Sequence, residues 1–208
     1  MTRHRALSAL MGFAILFAVA SPALAGPPLV CFPFEIGTAA SLPWNPTTGG
    51  YKGMRSDYDL TRLNRDTVAL LTSSTPVIVR METLRRAALY ASANEATART
   101  LLDTLLARAK ATTKPPESTL AEFDLGYLIE TYKQIAPMAP ELGRMAAGLD
   151  GYALVTASLA ARHDDPAVAF AAALIASGRG AYAEHVRMAK AGTSADMLLA
   201  RNIDHVLK

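Results

Sequence analysis

Beyond residue 60, apolar side chains recur at intervals of three and four residues through most of the chain. The clearest stripe contains Val77, Met81 and Leu84, a spacing that places all three on one face of an α-helix. Similar stripes recur in the segments 101–109, 120–135, 152–159 and 168–175. The pattern predicts about eight helices of about 8–18 residues joined by short turns. Residues 77–79 include two valines and an isoleucine, which favour strands, so a short strand at the start of the first long stripe is the alternative.

Residues that cap helices stand in front of most of these stripes. Serine, threonine, aspartate and asparagine are favoured there because their side chains accept a hydrogen bond from a free backbone N–H of the first turn. Thr119 and Glu122 have the spacing of a capping box, and Pro76 and Pro166 occupy the first helical position that proline prefers. The predicted caps are Thr61, Thr75, Asn94, Thr119, Asp150 and Asp165.

These helices predict an all-α fold. Short connections imply antiparallel neighbours, so we expect the helices to stack as an irregular α-solenoid of the tetratricopeptide kind or to form a helical bundle. Asp124-Leu-Gly126-Tyr127 and Asp150-Gly151-Tyr152 are similar segments, but their spacing fits no strict repeat period. The choice between solenoid and bundle therefore stays open.

The chain begins with the three parts of a secretory signal peptide. Arg3 and Arg5 supply the positive charge, residues 7–20 are almost wholly apolar, and Ala23-Leu24-Ala25 is a small-x-small cleavage motif. The apolar run is shorter than the ~20 residues that a membrane-spanning helix needs. We therefore expect cleavage after Ala25 and export to the periplasm or the medium, with an uncleaved anchor as the alternative.

Residues 26–59 differ sharply from the rest of the chain. Five of the twelve prolines lie here, and because proline removes a backbone donor and fixes φ, no helical period is expected. The segment is nonetheless too apolar for a disordered linker. Its apolar side chains include Cys31, Phe32, Phe34, Ile36, Leu42, Trp44, Tyr51 and Tyr58. We predict a signal peptide at 1–25, an extended arm at 26–59 held across the helices by its aromatic residues, and a helical domain at 60–208.

Charge and hydropathy argue against two classes of partner. Signal cleavage removes two of the 21 basic residues and none of the 18 acidic ones, which leaves a net charge of +1. The chain has no cluster of lysine and arginine of the kind that nucleic acid requires, and no second long apolar run follows the signal. We expect no nucleic-acid partner and no membrane span after cleavage.

Cys31 is the one cysteine of the chain, so no disulfide can form within it. The favoured interpretation is a buried, small apolar residue, as free cysteines commonly are. A reactive thiol and a disulfide-linked dimer through Cys31 are the two alternatives, and the dimer is not favoured.

The predicted helix after Pro76 carries the most distinctive polar set. Glu82 precedes Arg85 and Arg86 by three and four residues, the spacing at which helical side chains meet. The favoured interpretation is a partly exposed network of ion pairs. The alternative is an anion site in which an arginine pair holds a carboxylate or a phosphate.

Asp124 lies beside an apolar stripe and needs a partner if it is buried, because an unpaired buried charge is costly. Arg80 or Arg86 would reach it if the two helices pack together, and Tyr127 lies near enough to line a groove. The candidate binding residues are Arg80, Glu82, Arg86, Asp124, Tyr127 and, in the arm, Trp44. No catalytic residue is assigned.

Motifs for metals and cofactors are lacking. His163-Asp164-Asp165 invites a metal interpretation, but neighbouring residues in a turn do not converge as ligands one helical turn apart do. No His-x-x-x-His or Glu-x-x-His spacing occurs, and neither a Gly-x-Ser-x-Gly elbow nor a phosphate-binding glycine loop is present. We expect no metal and no cofactor.

The segments GPPLVCFPFEIGTAASLPW, TPVIVRMETLRRAALYA and FDLGYLIETYKQ resemble those of a family of exported bacterial α-helical, repeat-like proteins. Its members share a signal peptide, a Cys-x-Pro-Phe opening and an arginine-rich helix after Thr-Pro, and the resemblance covers most of the mature chain. The family has no assigned activity to imply for this chain. Its members often carry histidine after the cysteine, where this chain has Phe32, so a site built on a Cys-His pair would lack half of its ligands here.

Together these features predict an exported, non-catalytic helical scaffold that binds a protein, a peptide or an envelope component, because stacked helical hairpins commonly present a concave surface to partners. The alternative is a small-molecule, anion-binding protein or an enzyme with a polar pocket formed by Arg80, Arg86, Asp124 and Tyr127. A scaffold would pair these side chains and close the space between them, whereas a pocket would leave them around a cavity.

Overall fold

The structure, a computed structural model, describes residues 28–48, 50–177 and 180–206, with only the backbone for residues 205 and 206. The predicted signal peptide at 1–25, the first two residues of the predicted arm, and the centre of the turn predicted at 177–180 lie outside the described residues.

The described part of the chain contains ten α-helices and no β-strand. The prediction of an all-α fold is therefore confirmed, and the strand alternative at 77–79 is wrong because these residues form the first turn of a helix. Three short 3-10 turns add to the helices, at Pro46–Thr48, Gly50–Lys52 and Leu60–Arg62. The helices are α1 (Pro28–Cys31), α2 (Leu63–Leu70), α3 (Val77–Ala91), α4 (Glu95–Ala111), α5 (Glu117–Ile135), α6 (Pro140–Ala146), α7 (Gly151–Ala161), α8 (Pro166–Ile175), α9 (Tyr182–Ala191) and α10 (Met197–Val206).

Three of the predicted caps begin helices as expected. The side chain of Asn94 accepts a hydrogen bond from the backbone N–H of Thr97 at 2.9 Å, and Asp150 accepts one from Ala153 at the same distance. Asp165 caps α8 in the same way, directly before its proline. Each cap satisfies a backbone donor that has no partner within its own helix.

The predicted caps at Thr61 and Thr119 are wrong. Thr61 lies inside a 3-10 turn, and Asp59, an equally good or better capping residue, accepts its backbone N–H at 2.9 Å. Thr119 lies inside α5, where its hydroxyl donates to the carbonyl of Pro116 at 2.7 Å. Because proline already has the φ of a first helical turn, α5 begins directly after Pro116, and the capping box with Glu122 does not form at a helix start.

The start of α3 also differs from the prediction by one position. Pro76 is the N-cap residue and not the first helical residue, a shift within the usual uncertainty of helix boundaries. Thr75 does not cap the helix, because its hydroxyl donates to the carbonyl of Leu70 at 2.7 Å. The side chain therefore closes the loop before α3.

Two helices are surrounded by protein on nearly every side. All residues of α3 except Arg86 are buried, and all residues of α8 except Pro166 are buried. The two helices contact each other, α5 contacts α1, α3, α4, α6 and α7, and α8 contacts α1, α7, α9 and α10. The charged side chains of α3 therefore lie in the interior, where they need partners.

The N-terminal segment, residues 28–59, packs on the helices through a few apolar side chains. Leu29, Val30, Phe34 and Leu42 are buried in the core, and the ring of Phe34 meets that of Phe170 edge-on at 6.0 Å. The expectation that no helix forms here is wrong for α1. Its first turn is held to α5 by the side chain of Gln134, which accepts the backbone N–H of Leu29 at 2.8 Å.

A pair of glycines lets α5 and α7 approach closely. A Cβ atom built on Gly126 would lie 2.6 Å from the carbonyl oxygen of Gly151, closer than real Cβ contacts allow. The first turn of α7 is also bound to α5 through Glu130, whose carboxylate accepts the backbone N–H of Tyr152 at 3.1 Å. The two similar segments of the sequence thus meet face to face.

No helix in the described ranges is both long and apolar enough to cross a membrane.

Candidate functional site

A fully buried ion pair joins Arg80 of α3 to Asp124 of α5. Both side chains have 0% exposure, and Nη1 of Arg80 donates to the two carboxylate oxygens at 2.6 and 2.7 Å. Arg80 also donates to the carbonyls of Thr72 and Thr75. The pair therefore fixes the loop before α3 as well as joining two helices.

Arg108 of α4 approaches the same carboxylate from a third helix. Its Nη1 lies 3.5 Å from Oδ2 of Asp124, and its Nη2 donates to the carbonyl of Leu71. Burial raises the pKa of Asp124 to about 6, although Arg80 and Arg108 both favour the ionised form. Desolvation thus outweighs the attraction of two guanidinium groups.

A second buried network on α3 centres on Glu82. Its carboxylate accepts hydrogen bonds from Arg85 at 2.8 and 3.1 Å, from Arg86 at 2.7 Å, and from the backbone N–H of Phe34 at 3.0 Å. One negative charge is thus shared by two arginines. The expectation of a partly exposed network is wrong for Glu82 and Arg85, which have 0% exposure, while Arg86 retains 15%.

The two arginines of this network also hold the backbone of the N-terminal segment. Nη1 of Arg85 donates to the carbonyl of Val30 at 3.0 Å, and Nη1 of Arg86 donates to the carbonyl of Leu42 at 2.7 Å. Because every residue has a backbone carbonyl group, this attachment does not depend on particular side chains of the segment, and its sequence does not reveal it. It explains why a face of α3 that carries three charged residues is covered.

Trp44 lies over the two arginines. The guanidinium carbons of Arg85 and Arg86 are 4.9 and 5.8 Å from the centre of its ring, a cation–π arrangement. The ring of Tyr90 meets the indole edge-on at 6.0 Å, and the Tyr90 hydroxyl donates to the carbonyl of Pro43 at 2.6 Å. The indole is thereby held in a fixed orientation.

Tyr127 lies on α5, beneath the Glu82 network. Its side chain is fully buried, its ring stacks on that of Phe123 with centres 5.8 Å apart, and its hydroxyl has no hydrogen-bond partner among the described residues. Burial, reinforced by the negative charge of Glu82, raises the pKa of Tyr127 well above its ordinary value. The phenol is therefore neutral and does not reach the surface.

A cleft opens where the N-terminal segment meets α3 and α10. It encloses about 360 Å³, and its walls include Pro33, Phe34, Trp44, Pro46, Arg86 and Arg201. Of the six candidate binding residues, only Trp44 and Arg86 line it. Glu82 supports Arg86 from behind, whereas Arg80, Asp124 and Tyr127 lie in the interior, outside the cleft.

The far wall of the cleft comes from the C-terminal helix, which the sequence analysis did not single out. Asn202, buried on α10, accepts the backbone N–H of Glu35 at 2.8 Å and donates to its carbonyl at 2.9 Å. Beside it, Nη1 of Arg201 lies 3.4 Å from the Glu35 carboxylate. These partners are 166 and 167 positions apart in the chain, so no local pattern could have indicated that they meet.

Cys31 ends α1 with a free and partly exposed thiol. Burial raises the pKa of this thiol, and Arg85 opposes the effect only in part. A raised pKa lowers the fraction of thiolate, the form that reacts. The raised pKa gives the reactive-thiol interpretation no support, and the expectation of a buried cysteine is met only in part, because Cys31 is half-buried.

Metal chemistry has no visible support in the described ranges, where no group of three or more His, Cys, Asp and Glu side chains is placed to hold an ion. His163 and Asp164 both adopt positive φ, at 54° and 60°, in the turn that Asp165 closes as the cap of α8. Comparisons of the chain with protein-family models, with curated proteins and with solved structures find no match.

Proposed function

We propose that this protein is an exported, non-catalytic helical scaffold that binds a protein, a peptide or an envelope component in the cleft between its N-terminal segment and α10. The observation that carries the proposal is the cleft itself. Its walls combine apolar rings with two arginines, and a site of apolar surface with a few fixed polar groups is typical of ligand binding. Export rests on the signal-peptide pattern at 1–25.

The pairing of the central charges favours binding over catalysis. Arg80 and Asp124 have 0% exposure and are hydrogen-bonded to each other, so a substrate would reach them only by breaking a buried ion pair, which is costly. Arg80, Arg86, Asp124 and Tyr127 therefore make a poor reaction site. Of these four residues, only Arg86 lines the cleft. Anion binding is therefore retained as part of the scaffold's binding function and not as part of a reaction site.

For the arrangement of the helices we propose a bundle in preference to a solenoid. The short helix α1 contacts α3, α5 and α8, and α3 contacts α8. Units of a solenoid touch only their neighbours in sequence, whereas these contacts join distant parts of the chain. A bundle whose N-terminal segment returns over it also creates the cleft without needing a concave stack.

Thermal unfolding in the presence of candidate partners tests the proposal. The protein, produced from its full sequence, is mixed with short peptides, peptidoglycan fragments and oligosaccharides, and a ligand that binds only the folded state must raise Tm. Pro46→Trp fills the cleft from an exposed position and is expected to abolish the shift. Met138→Trp, at an exposed position that does not line the cleft, is the control that should retain it.

Two outcomes would contradict the proposed function. One is that no compound of these classes raises Tm at any concentration tested. The other is a rise that Pro46→Trp leaves intact, which would place binding elsewhere on the molecule.

A further inference from the structure

We infer that the cleft recognises a carboxylate attached next to an aromatic or other apolar ring, the chemistry shared by the carboxyl end of a peptide and by a free aromatic acid. This inference rests on the proposed function and names the ligand chemistry of the same cleft. It follows from three features of the walls. Arg86 has one nitrogen, Nη2, without a hydrogen-bond partner among the described residues, Arg201 is weakly paired, and the indole of Trp44 is fixed.

Arg86 presents one fixed guanidinium group to the cleft. Its Nε donates to Glu82 and its Nη1 to the carbonyl of Leu42, whereas Nη2 has no hydrogen-bond partner among the described residues. The side chain is held from behind by a fully buried carboxylate and is itself 15% exposed. A donor that is already oriented loses little conformational entropy when it binds an anion.

The charge around this donor is not balanced. The single carboxylate of Glu82 is shared between Arg85 and Arg86, so this network keeps one surplus positive charge beside the cleft. A surplus charge near a largely apolar wall favours an anionic ligand more strongly than it would in open water, because the local dielectric constant is lower.

Arg201 supplies a second, adjustable cation on the opposite wall. Its only described partner is the Glu35 carboxylate at 3.4 Å, and the two side chains are 44% and 63% exposed. Exposed pairs of this kind contribute little to stability, so Arg201 can turn from Glu35 to a ligand at small cost. Arginine is suited to this role because its planar group binds carboxylates through two parallel hydrogen bonds.

The rest of the lining is mostly apolar and of limited size. Phe34, Trp44 and Pro46 form its apolar part, and Glu35 and Asn202 line it beside Arg201. Tyr90 together with the arginines keeps the indole in place. The volume of about 360 Å³ lies near the lower end of the ~300–1,000 Å³ range of small-ligand sites. It suits one ring and a neighbouring carboxylate, and it excludes a folded domain.

Trp44 is the only tryptophan of the chain, so its fluorescence reports directly on the cleft. The full-length protein is titrated with four probes: N-acetylphenylalanine, its amide, the tripeptide alanyl-alanyl-phenylalanine with a free carboxyl group, and the amidated tripeptide. We expect both free acids to change the fluorescence and to bind at least about tenfold more tightly than their amides, the effect of one charge-assisted hydrogen bond.

Substitution of the arginines identifies the cations. Arg201→Met and Arg86→Lys are each expected to weaken the free acids about tenfold and to leave the amides unchanged. Arg144→Met is the matched control, because Arg144 is exposed and paired with Glu141 outside the cleft, and its affinities should equal those of the wild type. Tighter binding of the tripeptide acid than of N-acetylphenylalanine indicates a peptide end as the source, and the reverse order indicates a free acid.

The inference is overturned if the amides bind as tightly as the acids, if both arginine variants bind the acids like the wild type, or if none of the four probes binds. Failure of the proposed function looks different: no compound of its classes then raises Tm, or the rise survives Pro46→Trp. If instead Pro46→Trp abolishes a Tm rise while the amides bind as tightly as the acids, the cleft remains the binding site and only its preference for carboxylates is lost.

Discussion

Arg80 and Asp124 show at the scale of single residues how α3 tolerates charge in the interior. Each of the two side chains satisfies the other, and the remaining donors of Arg80 bind loop carbonyls. A buried pair of this kind adds little stability compared with a well-packed apolar pair, but loss of one partner leaves an uncompensated charge. The pair therefore specifies which residues of α3 and α5 lie opposite each other.

Removal of Arg80 should be far more harmful than removal of an exposed arginine. We expect Arg80→Met to lower the free energy of unfolding by about 3–5 kcal/mol at pH 7, because the carboxylate of Asp124 then stays buried without its main partner. Arg99→Met, at an exposed pair with Glu95 on α4, should cost less than about 1 kcal/mol. Urea unfolding measures both, and equal losses would contradict a structural role of the buried pair.

Asp124 should also give the protein a distinctive pH dependence. Burial raises its pKa from 3.8 to about 6, so between these values the folded protein holds a proton that the unfolded chain releases. The stability contributed by Asp124 is then fully present below pH 4 and is lost as the pH rises through 6. The difference corresponds to about 3 kcal/mol.

The Asp124→Asn variant isolates this contribution, because asparagine does not titrate. We expect the free energy of unfolding of the wild type to fall by about 2–3 kcal/mol relative to the variant between pH 4 and pH 7, measured by urea unfolding at each pH. Parallel pH profiles for the two proteins, or a relative rise of the wild type, would refute this assignment.

At the scale of helices, the close contact of α5 with α7 depends on two glycines. Gly126 lies in the buried middle of α5 and Gly151 begins α7, and neither position has room for a Cβ atom. The resemblance of the two segments around these glycines does not reflect a repeat of fixed length. It reflects that each helix must expose its backbone to the other at the same point.

Alanine at Gly126 should destabilise the protein although alanine is the better helix former. The new methyl group would lie 2.6 Å from the backbone oxygen of Gly151, and we expect a loss of about 1–3 kcal/mol in the free energy of unfolding. Gly148→Ala, where nothing lies within 4 Å of the added Cβ, should change stability by less than about 0.5 kcal/mol. A loss at Gly126 no larger than at Gly148 would contradict the close contact.

Helix starts also show which sequence signals hold and which do not. Asn94, Asp150 and Asp165 cap the helices that the sequence assigned to them, because a cap needs only local geometry. Thr61 and Thr119 failed because an aspartate or a proline a few residues earlier had already begun the helical turns. A threonine alone does not decide between competing starts.

At the scale of the whole molecule, the N-terminal segment is joined both to α3 and to α10, which are far apart in the sequence. Glu82, on α3, binds the backbone of Phe34, and Asn202, on α10, binds the backbone of Glu35. Consecutive residues of the segment therefore connect two helices that are more than a hundred positions apart, and the cleft lies between these attachments. Loosening one attachment should open the cleft without unfolding the distant helices.

Glu82→Gln tests this coupling, because glutamine keeps the shape but not the charge that holds the two arginines. We expect backbone amides of residues 34–45 to lose at least about tenfold in hydrogen-exchange protection, while protection in α9 changes much less. Glu95→Gln, at an exposed pair on α4, is the control and should leave the segment protected. Unchanged protection in the Glu82 variant would show that apolar contacts alone hold the segment.

The sequence by itself determined the helical class of the described chain, most helix positions and several caps, because these depend on periodicity and on interactions within a few residues. It also singled out Arg80, Glu82, Arg86 and Asp124 as the polar residues that needed explanation. The tertiary structure decided which of them pair, that Glu82 and Arg85 are covered, and that Arg201 and Asn202 complete a cleft with Trp44. Those outcomes depend on backbone groups and on residues up to 167 positions apart. A local pattern of apolar and polar residues does not indicate which distant residues meet.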